Sequence, residues 1–99
     1  MSLKDKNKKY ELKKLKADIF LSAKELDKAI ETYYGLLADF PEESKKDDIA
    51  LSLAVCYEDQ ENYLKSIEVL EGMKKAYGHP EFIELRIKRL KERRAQQPG

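Results

Sequence analysis

The 99-residue chain has no tryptophan, one cysteine, one histidine, four glycines and three prolines. A single cysteine, Cys56, excludes an internal disulfide framework. With His79 it falls short of the usual ligand count of a zinc site within one chain, so no metal or cofactor is expected. The chain also lacks a glycine-rich phosphate loop, and it has no apolar stretch near the ~18 residues needed to span a bilayer. Lysine-rich Met1–Lys9 leads into no signal-peptide core, so membrane insertion and export are not expected and a reducing cytoplasm is the default compartment. Met1-Ser2-Leu3 reads as a cloning remnant and Gln97-Pro98-Gly99 as the cut end of something longer. Scarce glycine and proline with 39% charged residues describe one small helical domain over residues 1–99. So short a chain has little stability to spare for a strained catalytic pocket, which favours a binding module over an enzyme.

The formal charge is only +1, but it is unevenly spread. Residues 1–16 carry seven lysines against Asp5 and Glu11, a net +5, and residues 86–99 carry six cations against Glu92, again +5. The intervening stretch is therefore at −9. Basic ends flank an acidic body.

From Tyr10 to Leu37 apolar residues recur at three- and four-residue steps: Leu12, Leu15, Ile19, then Leu26, Ala29, Ile30, Tyr33, Leu36, Leu37. This is the helical period. A polar break at Ser22–Glu25 divides the run into two helices, and Phe40-Pro41 closes the second. Ser44-Lys45-Lys46-Asp47 has capping-box spacing, and a third helix is expected through Ile49, Leu53, Cys56 and Tyr57. After the polar turn Glu58–Asn62, Tyr63, Ile67, Leu70 and Met73 mark a fourth helix that stops near Tyr77-Gly78-His79-Pro80. Ile83, Ile87 and Leu90 predict a fifth.

Laid on itself at a shift of 37, the chain aligns Ala17 with Ala54, Phe20 with Tyr57, Leu26 with Tyr63, Ala29 with Ser66, Ile30 with Ile67, Leu36 with Met73 and Phe40 with Tyr77. Small residues let paired helices approach and bulky ones fill the space beside them. In this pattern, with its closing Pro41, the chain resembles the tetratricopeptide repeat family over about residues 9–80. That resemblance implies an all-α, right-handed α-solenoid: two antiparallel helix pairs, 9–41 and 46–78, and a capping helix, 80–96. The departures are Lys16 where a large apolar residue is usual, Ala54 in place of glycine, and a spacing three residues too long, assigned to the connection Glu42–Asp47. The competing reading is an unrelated five-helix bundle whose hairpins look alike because all amphipathic hairpins share small and large positions.

In the family the first helix of each pair lines a concave face that takes partner peptides. The resemblance thereby implies a groove formed by Lys14, Asp18 and Leu21, by Leu51, Ser52, Val55 and Asp59, and by Arg86 and Arg89. Some members clamp a C-terminal carboxylate there with lysine and asparagine. Here Asp18 follows Lys14, Ser52 takes the second asparagine position and Phe82 replaces the last lysine, which argues against an acidic tail as ligand. Asp18 and Asp59, with Glu11, Asp48 and Glu58 at the margins, tilt the groove acidic, while Arg86 and Arg89 make one end basic. The expected partner is a protein segment of mixed charge. Each groove residue also has a plainer reading as solvated helix surface.

The basic run from Arg86 to Arg94 raises nucleic-acid binding. An acidic body opposes phosphate and no aromatic interleaves the run, so no nucleic acid is expected, and arginines suit a helix C-terminus in any case. Cys56 lies on an apolar stripe and reads as buried and inert; His79 reads as an exposed turn residue. Asp47-Asp48 and Glu58-Asp59 resemble helix-end charge more than an acid–base pair. Tyr34 falls opposite Ala29 and Leu36, either as a convex-surface aromatic or as an interface anchor. The expected function is a non-enzymatic protein-binding scaffold or adaptor. The alternative is a self-associating module such as a homodimer, because two repeats and a cap leave an apolar edge uncovered on helix one or two.

Overall fold

A computed structural model describes residues 3–76 and 80–98. His79 and the expected stop at Tyr77 and Gly78 lie outside the described residues. Among the described residues there are six helices and no strand: α1 (Leu3–Ser22), α2 (Leu26–Asp39), α3 (Pro41–Lys46), α4 (Ile49–Asp59), α5 (Tyr63–Ala76) and α6 (Pro80–Ala95). No helix among them is long and apolar enough to cross a membrane. The main packing is serial, α1 on α2, α2 on α4, α4 on α5 and α5 on α6.

The 37-residue shift seen in the sequence recurs in the backbone. Both hairpin turns pass through a left-handed residue, Lys24 at φ 61° and Glu61 at φ 60°. In the first turn the Lys24 N–H donates to Leu21 O and the Glu25 N–H to Phe20 O; in the second, Glu61 donates to Glu58 O and Asn62 to Tyr57 O. Every donor and acceptor of the first turn maps onto the second at the same shift. Both are helix C-caps that occupy orphan carbonyls through one left-handed residue.

Burial follows the same register. Ala17 and Ala54 are fully buried, as are Ala29 and Ser66, and Tyr33 and Leu70. The Ser66 hydroxyl donates to Ala54 O at 2.8 Å, so α5 lies close enough to α4 for a short side chain to reach its backbone. One cluster gathers Tyr10, Ala17, Ala29, Tyr33, Leu36, Phe40, Ile49, Leu53 and Cys56. A second gathers Ala54, Ile67, Leu70, Met73, Ile83, Ile87 and Leu90, and half-buried Val69 packs against both.

One expectation needs correction. The connection between the repeats is a short helix, Pro41–Lys46, not a loop opening on a capping box. Pro41 stands at the start of α3, Glu42 and Glu43 in its first turn and Lys45 and Lys46 in its last, each complementing the helix dipole. Ser44 is thus inside a helix; its hydroxyl donates to Leu36 O at 2.9 Å and it is fully buried. The chain enters α4 through Asp48 in a left-handed conformation without a side-chain cap. This short helix takes up the extra spacing between the repeats.

The helical period of α1 leaves open which of its sides faces inward. Leu12, Leu15 and Ile19 have helical spacing, yet they are 63%, 56% and 57% exposed. Tyr10 and Ala17 are the buried residues of that helix. Tyr10 decides the rotation of α1: its hydroxyl donates to Asp47 Oδ2 at 2.6 Å and Glu43 O at 3.2 Å, and its ring meets Phe40 edge-on at 5.6 Å. With α1 packed mainly on α2, only one of its faces has a neighbour.

Ala29→Leu is expected to cost about 1–3 kcal/mol through overpacking, whereas Ala38→Leu, at an exposed site, should leave thermal unfolding nearly unchanged; equal melting shifts would deny the close contact at Ala29. Replacing left-handed Glu61 with glycine should stabilise by about 0.5–1 kcal/mol, a rise of several degrees in Tm, because only a residue without Cβ takes that conformation freely. A lower melting temperature for Glu61→Gly would contradict the strain.

Candidate partner-binding groove

Helix α4 carries four of the nine residues proposed from the sequence for a groove, Leu51, Ser52, Val55 and Asp59. Ser52, Val55 and Asp59 lie at i, i+3 and i+7, so they share one face. Leu51, Ser52, Val55 and Glu58 are all half-buried, and Asp59 is exposed at the helix end. Along the whole of α4, Asp59 is the one exposed residue. Up to Glu58 its outward face is partly covered by the neighbouring helices. Leu21 at the end of α1 is also half-buried, packed against the first core cluster.

The charged candidates are largely occupied by one another and by neighbours. Asp18 accepts the Tyr33 O–H at 2.6 Å and pairs with Lys14 at 3.3 Å. Asp59 pairs with Lys24 at 2.8 Å, which ties the first hairpin turn to the end of α4. Glu58 takes Arg86 at 3.0 Å and Arg93 at 2.8 Å, joining α4 to α6. Arg86 retains a buried Nε with no acceptor among the described residues. Arg89 is exposed, and a cleft of about 280 Å³ runs between Glu58, Arg86, Arg89, Leu90 and Arg93. Of the nine groove candidates, the structure ties Asp18 to Lys14, Asp59 to the neighbouring turn, and Arg86 to α4 through Glu58, while Arg89 stands apart at the rim.

Glu58 was read from the sequence only as a marginal charge, and Tyr33 only as a packing residue. Their roles come from contacts 28 and 15 residues apart in the chain. Nothing in local pattern signals such pairs. Tyr63 lines an open depression of about 820 Å³ together with Lys91, Arg93 and Arg94. An aromatic thus stands beside the basic run after all, although Glu61 borders the same depression.

Tyr34 is half exposed, and its hydroxyl lies 3.0 Å from that of Tyr57. Burial, followed by that hydrogen bond, raises the Tyr57 phenol to about 12. Burial also raises Tyr33, with the Asp18 hydrogen bond acting in the same direction. The Cys56 thiol is buried, and burial assisted by the nearby Asp59 charge pushes it up to about 11. At neutral pH all three groups are uncharged, which removes a thiolate nucleophile from this face.

Comparison with protein-family models, with curated proteins and with solved structures finds no match.

These shifts predict alkaline sensitivity. Folding holds the Cys56 thiol protonated up to about 11 against an ordinary value of 9.0, and the Tyr57 phenol to about 12 against 10.0. The native state binds more protons than the unfolded chain in that range, so stability is flat up to about pH 8 and falls as pH rises through the folded values. Denaturant titrations from pH 7 to 11 check this; a constant midpoint would refute it. Over the same titration at pH 8, a thiol reagent should modify Cys56 only in step with unfolding.

Proposed function

We propose that the chain is a non-enzymatic adaptor of tetratricopeptide-repeat type, holding a segment of a partner protein along the face formed by α1, α4 and α6. The observation that carries this reading is the half-burial of the whole outward side of α4. A helix at the surface of a bundle usually exposes a polar stripe, whereas here Leu51, Ser52 and Val55 form a floor with ion-paired walls on either side. The 37-residue repetition of turn hydrogen bonds and buried small residues supports the repeat assignment, and with it a right-handed stack in which α6 is the cap.

The partner is a peptide segment of mixed charge. Asp18 and Asp59 favour its cations and Arg86 and Arg89 its anions, but each bond must exchange with one already present inside the protein, except at Arg89. Exchange of paired charges adds little net affinity, so the apolar floor supplies the binding energy and the charges set register. An unpaired donor on Arg86 suits a carbonyl or carboxylate of the segment.

Selection from a random peptide library against the immobilised protein tests the proposal. Val55→Arg fills the floor with a charged side chain and should lower affinity for selected peptides at least tenfold, while the melting temperature stays within a few degrees. Peptides that bind Val55→Arg normally but are lost on Tyr34→Ala would instead assign binding to the convex side.

A further inference from the structure

Five of the seven large apolar side chains most exposed to solvent form two stripes on the terminal helices. Leu12, Leu15 and Ile19 run along α1; Phe82 and Leu85, 58% and 50% exposed, run along α6. Each stripe lies on the side of its helix away from its neighbour, since α1 packs chiefly on α2 and α6 chiefly on α5. Both have the same spacing, i, i+3, i+7, with Arg89 completing the α6 series. That is the a/d seam of a paired helix.

The charges beside the seams decide what can cover them. With Leu12 opposite Phe82, Leu15 opposite Leu85 and Ile19 opposite Arg89 in parallel orientation, the flanking positions pair Lys16 with Glu81, Glu11 with Arg86 and Asp18 with Arg93. All three pairs have opposite sign, but Asp18, Arg86 and Arg93 already hold partners within the chain, so Lys16 with Glu81 is the pair that forms without exchange. In antiparallel orientation Lys9 and Lys16 face Arg86 and Arg93, which repel. Pairing α1 with α1 stacks Lys8 on Lys8, sets two +5 segments together and leaves Phe82 and Leu85 in water. Lys16 and Glu81 are both exposed, and neither makes an ion pair among the described residues. The aliphatic stem of Arg89 can cover Ile19 while its head stays in solvent.

We propose that the exposed face of α1 in one copy docks in parallel on the exposed face of α6 in a second copy, giving head-to-tail self-association. The contact shares Asp18, Arg86 and Arg89 with the walls of the proposed groove, whereas Leu12, Leu15, Lys16, Glu81, Phe82 and Leu85 lie outside it, and the inference does not rest on peptide binding there. The contact is heterologous: each copy offers one donor and one acceptor face, so association continues beyond the dimer unless the rotation closes a ring. Helices of 20 and 16 residues are about 30 and 24 Å long, enough for an interface at the small end of the specific range and therefore a weak one.

Sedimentation velocity between about 5 and 500 µM reads the outcome directly. The average mass of the wild-type chain should climb with concentration past that of a dimer, or reach a closed ring, and Leu15→Glu and Leu85→Glu should each remain monomeric with unchanged circular dichroism. Mixing those two variants should restore association that stops at two chains, because the first keeps its α6 face and the second its α1 face. Lys16→Glu should weaken assembly at least tenfold at low salt, and Lys16→Glu with Glu81→Lys should recover it; this pair decides the matter if a Leu→Glu variant fails to fold. A wild-type chain that stays monomeric throughout overturns the proposal. So does persistent dimerisation of Leu85→Glu, which would mean that α1 pairs with α1.

Discussion

Helix α4 is packed on one side by α2 and on the other by α5, and the rest of the molecule is arranged around that double burial. A helix held on two sides has little circumference left for solvent. From Ile49 to Glu58 each residue is buried or half-buried. Close approach on the α5 side depends on small residues: Ala54 offers its carbonyl directly to the Ser66 hydroxyl. On the α2 side the bulk of Leu53, Ile49 and Cys56 fills the space that Ala29 and Ala17 leave. The alternation of small and large positions lets two apolar clusters meet across one helix.

Because α4 is central, polar contacts from the first hairpin turn and from α6 converge on its C-terminal end. Lys24 reaches Asp59 from the first hairpin turn, and Arg86 and Arg93 reach Glu58 from α6. The exposed Lys24–Asp59 pair is worth about 0–1 kcal/mol, so it sets position more than stability, whereas the Arg86–Glu58 pair is partly buried. The contact between Tyr10 and Asp47 does the same at the other end of the molecule, turning α1 so that Tyr10 and Ala17 face inward. That rotation decides which of the α1 side chains are left in water, and hence the stripe Leu12, Leu15, Ile19.

Much of this architecture is legible in the chain. The helix boundaries at Ser22, Asp39 and Asp59 follow from polar breaks and Phe40-Pro41, and the burial of Ala17, Ala29, Ala54 and Ser66 follows from the internal repeat. The groove was legible in part: the shared face of Ser52, Val55 and Asp59 needs only the helical period. Other features were not. Helix α3 is six residues long with no apolar periodicity, and its stability comes from Pro41, dipole-complementary charges and the Ser44 contact with α2. The period in α1 identified a helix but not its inward side, since both Tyr10–Ala17 and Leu12–Leu15–Ile19 satisfy it.

Local pattern is enough to read the helices and their polar breaks, the three residues of extra spacing between the repeats, and two hairpins in one register. These depend on interactions within a few residues, which a linear pattern records. Packing between helices settles which carboxylates are already engaged, that Glu58 rather than Asp59 joins α4 to α6, and that the apolar seams of α1 and α6 both face outward. Those outcomes depend on the rotation of each helix about its own axis. A helical period is unchanged by such a rotation, and packing against a neighbour fixes it.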